Sequence, residues 1–259
     1  MTKPDVNRFL PLIRVHARDL TPYALVVGDP NRVRDAAALM SDVREIGHNR
    51  EYLTITGTCA DQRLTIASHG VGSGGANVCF MELLKGGVRV LIRAGTCGAM
   101  HTEIEDGDLI IATGAVREDA ATEHLMPLAY PAVADRHVVN ALVQAARRHG
   151  YDEPYVGLLV SDANFYPSAM LPCPWEKYVG YGVLGVEMEL SALLVVAHMN
   201  GARAGGIVTA DGNLVRKPDP EMDGYDPHRE VVTRGKQAML QIALDALASL
   251  ANGYKVAVS

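Results

Sequence analysis

Residues 23–40, YALVVGDPNRVRDAAALM, run from five apolar residues into Gly28-Asp29-Pro30 and then into a polar segment with apolar residues at helical spacing. The apolar run reads as a buried strand, the glycine as a turn, and Arg32–Met40 as a helix. The same order recurs downstream. Leu64–Ser68 is a strand, followed by the glycine-rich Gly70–Gly75 and a helix to about Lys85. Val88–Ile92 is a buried-type strand broken at Arg93-Ala94-Gly95-Thr96, and Leu109–Ala112 and Tyr155–Val160 are further strands. Between those two, Arg136–His149 has the spacing of an amphipathic helix. Glu187–Met199 is a helix closed by Gly201, Ala204–Ala210 a last buried strand, and Leu240–Leu250 a C-terminal helix. Alternating strands and helices with no linker, low-complexity tract or internal repeat predict a single domain over residues 1–259. Its class is α/β, a three-layer α/β/α arrangement around a mixed central sheet. Ligands of such sheets gather beyond the carboxyl ends of the strands, which directs attention to the segments after residues 27, 68, 92, 160 and 210.

Composition narrows the partners. With 48% hydrophobic and 21% charged residues the chain can bury a substantial core, and 5% aromatic residues leave that core to aliphatic side chains. A net charge of −6 argues against nucleic acid or a membrane surface as partner, although clustered arginines can still hold an anion. Cys59, Cys79, Cys97 and Cys173 form no C-x-x-C pair, so neither disulfide staples nor a metal site is expected. The first twenty residues lack a signal-peptide h-region and no apolar run spans a bilayer, so the expected location is the cytoplasm.

Gly70-Val-Gly-Ser-Gly-Gly75 satisfies G-x-G-x-x-G between a strand and a helix. A dinucleotide site also wants an acidic residue at the end of the next strand; here that strand is expected to end at Arg93, the wrong charge for the ribose hydroxyl of NAD, although an arginine can meet the 2′-phosphate of NADP. Small residues packing closely in a turn explain the run equally well.

Another set of residues points to an anion and a sugar. Arginine stands beside glycine or at a strand end in Gly28-Asp-Pro-Asn-Arg32, Asn49-Arg50-Glu51 and Arg93-Ala-Gly-Thr96. Glycine lets backbone N–H groups approach an anion, and a guanidinium matches two phosphate oxygens. The plain alternative is that each arginine is a surface ion pair. Glu187-Met188-Glu189 sits at the entry of an apolar segment, where a carboxylate can cap a helix or accept hydrogen bonds from vicinal hydroxyls. Asp211 follows the apolar strand, either as half of an Asp-Gly turn or as a general acid.

Six motifs then occur in order: ValGlyAspProAsnArgVal (27–33), AsnArgGluTyr (49–52), SerHisGlyValGlySer (68–73), IleArgAlaGlyThrCysGly (92–98), ValGluMetGluLeu (186–190) and GlyGlyIleValThrAlaAspGly (205–212). Together they resemble the hexameric nucleoside phosphorylase family, which includes purine nucleoside phosphorylases and uridine phosphorylases. AlaValArgGluAsp (115–119) and ProAlaVal (131–133) are similar to the parasite-type purine enzymes. The resemblance implies reversible phosphorolysis of a purine nucleoside, with inorganic phosphate as co-substrate and no metal or organic cofactor. It implies that Gly28, Arg32, Arg93 and Thr96 bind phosphate, with Arg50 donated by a neighbouring subunit of a homo-oligomer, dimers assembled into a hexamer. Glu189 would hold the ribose hydroxyls with Met188 beneath the sugar. Phe165 would stack on the base, with Val186 and Glu187 beside it, and Asp211 would protonate or hydrogen-bond N7.

Two departures from the family bear on specificity. Uridine phosphorylases carry Gln and Arg where Ala169 and Leu171 stand, and lack the acid at Asp211, which favours a purine. Leu12 occupies the place of the histidine expected to reach the ribose 5′-hydroxyl, which suits a 5′-methylthio nucleoside, unless a shifted segment brings in His16. Residues Arg216-Lys217-Pro218-Asp219 resemble a loop over the base without closely matching residues. The competing readings are a nucleosidase using water, which the three arginines disfavour, and a non-catalytic nucleoside-binding protein, which Glu189 and Asp211 together disfavour.

Overall fold

The computed structural model describes residues 5–166, 168, 170–216 and 223–253. A small antiparallel hairpin, β1 (Phe9–Leu10) and β2 (Val15–His16), precedes the main sheet. The sheet begins with β3 (Tyr23–Val27), α1 (Pro30–Ala37), β4 (Ser41–Asn49), β5 (Tyr52–Cys59) and β6 (Gln62–Ser68). It continues through α2 (Ser73–Lys85), β7 (Val90–Ala99), β8 (Leu109–Glu118), β9 (Ala132–Val133) and α3 (Arg136–Arg148). The last elements are β10 (Tyr155–Asp162), β11 (Val183–Glu187), α4 (Leu190–Met199), β12 (Arg203–Asn213) and α5 (Glu230–Gly253). The strand order is β11-β10-β8-β12-β7-β3-β6-β5-β4, with β9 beside β8. Parallel pairs (β6–β3–β7–β12 and β8–β10–β11) and antiparallel pairs (β4–β5–β6 and β8–β12) make the sheet mixed, as the sequence predicts. At Gly185/Ala99 and Val186/Gly98 β11 also pairs antiparallel with β7, closing that end of the sheet on itself.

Alternation along β3 shows how the layers form. Ala24 and Val26 face a core shared with Phe80 and Leu83 of α2 and the largely apolar α4. Leu25 and Val27 face the opposite core, built with Val33 of α1, Leu142 of α3 and Leu240–Leu250 of α5. Among the described residues no helix is long and apolar enough to cross a membrane. The four cysteines are free.

Several boundaries differ from the sequence reading. The first helix starts two residues earlier, because Asp29 caps it by accepting from Asn31 N at 2.8 Å and Pro30 opens its first turn. Strand β7 does not break at Arg93 but runs on to Ala99, and Asp211 lies within β12 rather than after it. Glu187 ends a strand instead of opening a helix, and α4 starts at Leu190. β4 and β5 were not anticipated; β4 is exposed along most of its length and has no hydrophobic alternation to reveal it.

Phe80 of α2 is fully buried in the core that α2 shares with α4. Phe80→Ala is expected to lower unfolding free energy by about 3–5 kcal/mol, read by urea denaturation at fixed protein concentration; a loss under about 1 kcal/mol contradicts this packing.

Candidate active site

A cavity of about 770 Å³ opens at the carboxyl ends of β3, β7, β11 and β12. Gly28, Arg32, Arg93, Thr96, Phe165, Val186, Glu187, Met188, Glu189 and Asp211 all line it, so ten of the residues singled out in the sequence converge there. A smaller cleft of about 470 Å³ at the opposite end of β3 holds none of them.

At the centre lies Arg93, 4% exposed, on the face of β7. A side chain on Gly95 would collide with its guanidinium, whose Cζ lies 2.8 Å from where a Cβ would stand, so only glycine lets the arginine lie flat here. Arg93 Nη2 donates to Glu189 Oε2, and Nη1 sits 3.0 Å from Glu187 Oε2. Burial works against the charge on Arg93, but Glu187 and Glu189 overcome it and hold the group above its ordinary value. Among the described residues its buried Nε has no hydrogen-bond partner, and its buried Nη1 has the ion-pair contact with Glu187 but no hydrogen bond. Buried guanidinium donors seek an acceptor.

The two carboxylates beside it are held differently. Glu187 accepts from Ser161 Oγ, from Glu189 N at 2.9 Å and from Leu190 N at 2.9 and 3.1 Å, so it caps α4 while facing Arg93. Burial raises its pKa, with Arg93 opposing. Glu189 accepts from Gly72 N at 2.6 Å, and Ser73 Oγ donates to the Met188 carbonyl at 2.6 Å. Gly70 and Gly72 have φ of +75° and +85°, a backbone glycine adopts without strain. The G-x-G-x-x-G run thus grips the Met188-Glu189 segment at the start of α2. Burial acts to raise the Glu189 pKa, yet Arg93, His69 and the Gly72 N–H bring it below the usual carboxylate value.

Arg32 sits in the first turn of α1 beside Gly28; burial and the charge of Arg93 both pull its pKa down. Asp211 is 5% exposed, and burial raises its pKa while hydrogen bonds from Tyr225 and Thr96 oppose. The Tyr225 hydroxyl donates to Asp211 Oδ2 at 2.7 Å. Phe165, 45% exposed, meets Tyr225 edge-on with centroids 5.8 Å apart.

Some residues lie elsewhere. Arg50 occupies the exposed β4–β5 turn at φ +55° and does not line the cavity of its own chain. Asn49 Nδ2 donates to the Leu12 carbonyl at 2.8 Å, so Leu12 and Arg50 neighbour each other on that outer surface. His16 packs against Phe9, centroids 5.0 Å apart, away from the cavity. Leu171 is 69% exposed and outside the lining, and Ala169 and residues 217–222 lie outside the described residues. The sequence reading missed Tyr225, Trp175 and Glu51, which also line the cavity, and gave no role to His69. His69 is buried, its Nδ1 bonds the Gly70 carbonyl at 2.8 Å, and burial pulls its pKa down to about 4. Its motif, SerHisGlyValGlySer, was the available signal.

The phosphorylase superfamily model matches residues 22–248. A purine nucleoside phosphorylase of Plasmodium falciparum is 34% identical over 250 residues, covering 96% of this chain and all of that protein. A uridine phosphorylase of Treponema pallidum is 33% identical over 218 residues, covering 79% of this chain and 83% of that protein. The crystal structure of purine nucleoside phosphorylase from Toxoplasma gondii in complex with immucillin-H superposes with a TM-score of 0.88 at 32% identity, covering 98% of this chain and all of that one. The chain belongs to the phosphorylase superfamily. Within it the chain is an enzyme of the nucleoside phosphorylase kind, a pentosyltransferase.

Glu187→Ala would leave the buried Arg93 charge with Glu189 as its one carboxylate partner and uncap α4, and is expected to cost about 3–5 kcal/mol. Chemical unfolding checks this, and Glu187→Gln, which keeps the acceptor, should cost less; equal and small losses contradict the role.

Proposed function

We propose that the enzyme is a purine nucleoside phosphorylase, converting a purine nucleoside and inorganic phosphate into free base and pentose 1-phosphate. The observation that carries the reading is Asp211. It is a carboxyl group whose pKa burial raises, placed in the same cavity as a charged Glu189 and two arginines. Two carboxyl groups driven in opposite directions divide into an acid and an anion. In this reading Gly28, Arg32, Arg93 and Thr96 orient phosphate below the anomeric carbon, where positioning supplies much of the rate. Glu189 accepts hydrogen bonds from the ribose hydroxyls, Met188 packs beneath the sugar, and Phe165 and Val186 flank the base. Glu187 supports Arg93 and α4, since its oxygens are already engaged there. Asp211 gives a proton to N7, offsetting charge that develops only as the bond breaks. No cofactor enters these steps. Arg50 completes the phosphate site from a neighbouring copy, which makes the active unit an oligomer.

The test is release of base from inosine, uridine and 5′-methylthioinosine, each with and without phosphate. Phosphate-dependent release from the purine nucleosides and little from uridine is the expected result. Phosphate-independent release would establish a nucleosidase, and a uridine preference would overturn the purine assignment. The Leu12 surface favours the 5′-methylthio compound, and a strong inosine preference removes that refinement alone. Arg32 forms no ion pair among the described residues, so its replacement is structurally mild. Arg32→Ala is expected to raise KM for phosphate by about tenfold or more with nucleoside saturating; an unchanged KM removes Arg32 from the phosphate site.

A further inference from the structure

Tyr225 lies in a stretch whose sequence matched no motif, yet its hydroxyl reaches the carboxyl group on which the chemistry turns. It donates to Asp211 Oδ2 at 2.7 Å, and its ring packs edge-on against Phe165. The Asp211 backbone is fixed as well, because Arg229 Nη2 donates to its carbonyl at 2.7 Å. A phenol keeps its proton at neutral pH and is therefore an obligate donor to a carboxyl oxygen it faces. In a neutral carboxylic acid the carbonyl-type oxygen is the better acceptor. Thr96 also bonds this carboxyl group, but the hydroxyl of Tyr225 favours Oδ2 as that oxygen and thereby favours the acidic proton on Oδ1.

We infer that Tyr225 is a positioning residue for proton transfer from Asp211: it fixes which oxygen carries the proton and stabilises the carboxylate that remains. The inference rests on the purine phosphorolysis proposed above. In the step concerned, the C1′–N9 bond breaks and its electron pair stays with the base. N7 takes the proton from Asp211 Oδ1, and the O–H pair remains on the carboxylate. An oxygen of phosphate forms the new bond to C1′. Solvent returns a proton to Asp211 after the base departs. The Tyr225 hydrogen bond is neutral before the step and charge-assisted after it, so it strengthens as the transition state forms. Glu189 gains nothing from this device, being already paired with Arg93.

Tyr225→Phe removes only the hydroxyl and keeps the ring. The discriminating pair of substrates is inosine and 7-methylinosine, whose methylated N7 already carries positive charge and needs no proton to leave. The expected result is a loss of about tenfold in kcat on inosine, with 7-methylinosine within about twofold and KM for phosphate unchanged. Asp211→Ala serves as reference, losing about 10²- to 10⁴-fold on inosine and sparing 7-methylinosine. Equal losses of Tyr225→Phe on both substrates, an unchanged inosine rate, or an unaltered enzyme unable to release base from 7-methylinosine would overturn the inference. If Asp211→Ala fails to separate the two substrates, the acid role itself falls, and the inference falls with it. If only Tyr225→Phe fails to separate them, the site reading stands without it.

Discussion

The site depends on burying one guanidinium between two carboxylates. An isolated charge in the interior is costly, and Arg93 is tolerated there because Glu187 and Glu189 both face it. That requirement ties distant parts of the chain together. Gly95 must lack a side chain for the guanidinium to lie over β7. Glu187 must close β11 and cap α4 with the same carboxylate. Glu189 must be held by Gly72, whose backbone only glycine adopts easily. Two glycines distant in sequence, Gly95 in a strand and Gly72 in a loop, therefore serve a single ion cluster.

The same cluster separates two acids of nearly identical chemistry. Burial alone pushes both Glu189 and Asp211 toward the neutral form. Glu189 has a guanidinium and a backbone N–H as partners and stays charged, whereas Asp211 has hydroxyl donors and is raised. Partner type, and not depth, decides which is an anion and which can be an acid. An anion suits a group that accepts from sugar hydroxyls; a neutral carboxyl suits one that meets a leaving base.

Much of this was legible before the structure. The strand at 23–27 falls where its apolar run places it, and the helix at 136–148 follows its amphipathic spacing. The glycine-flanked arginines, the 186–190 motif and Asp211 meet in one cavity, Arg50 excepted. What stayed hidden has physical reasons. β4 is largely exposed and shows no alternation, so pattern reading had nothing to find. Gly95 and Gly98 look like breakers, yet here they thin a strand so that Arg93 and Leu214 can cross it. Glu187 reads as helical because it caps α4 from outside the helix. Tyr225 is brought to Asp211 by a contact fourteen residues apart that no periodicity encodes.

The proposed donation of Arg50 by a neighbouring copy bears on the charge of the cavity. Within one chain its walls carry Arg32 and Arg93 against Asp29, Glu51, Glu176, Glu187, Glu189 and Asp211. Even with Asp211 protonated, carboxyl groups outnumber guanidiniums, and a phosphate dianion would enter a wall of its own sign. Under the proposed phosphorolysis, a further guanidinium would offset that imbalance. Arg50 stands on the surface in a hairpin turn near Leu12, and does not line the cavity of its own chain. A second copy that presents this turn to the cavity would bring the missing guanidinium and an apolar side chain together. The electrostatics of the proposed reaction are thus consistent with the proposed donation of Arg50 by a neighbouring copy.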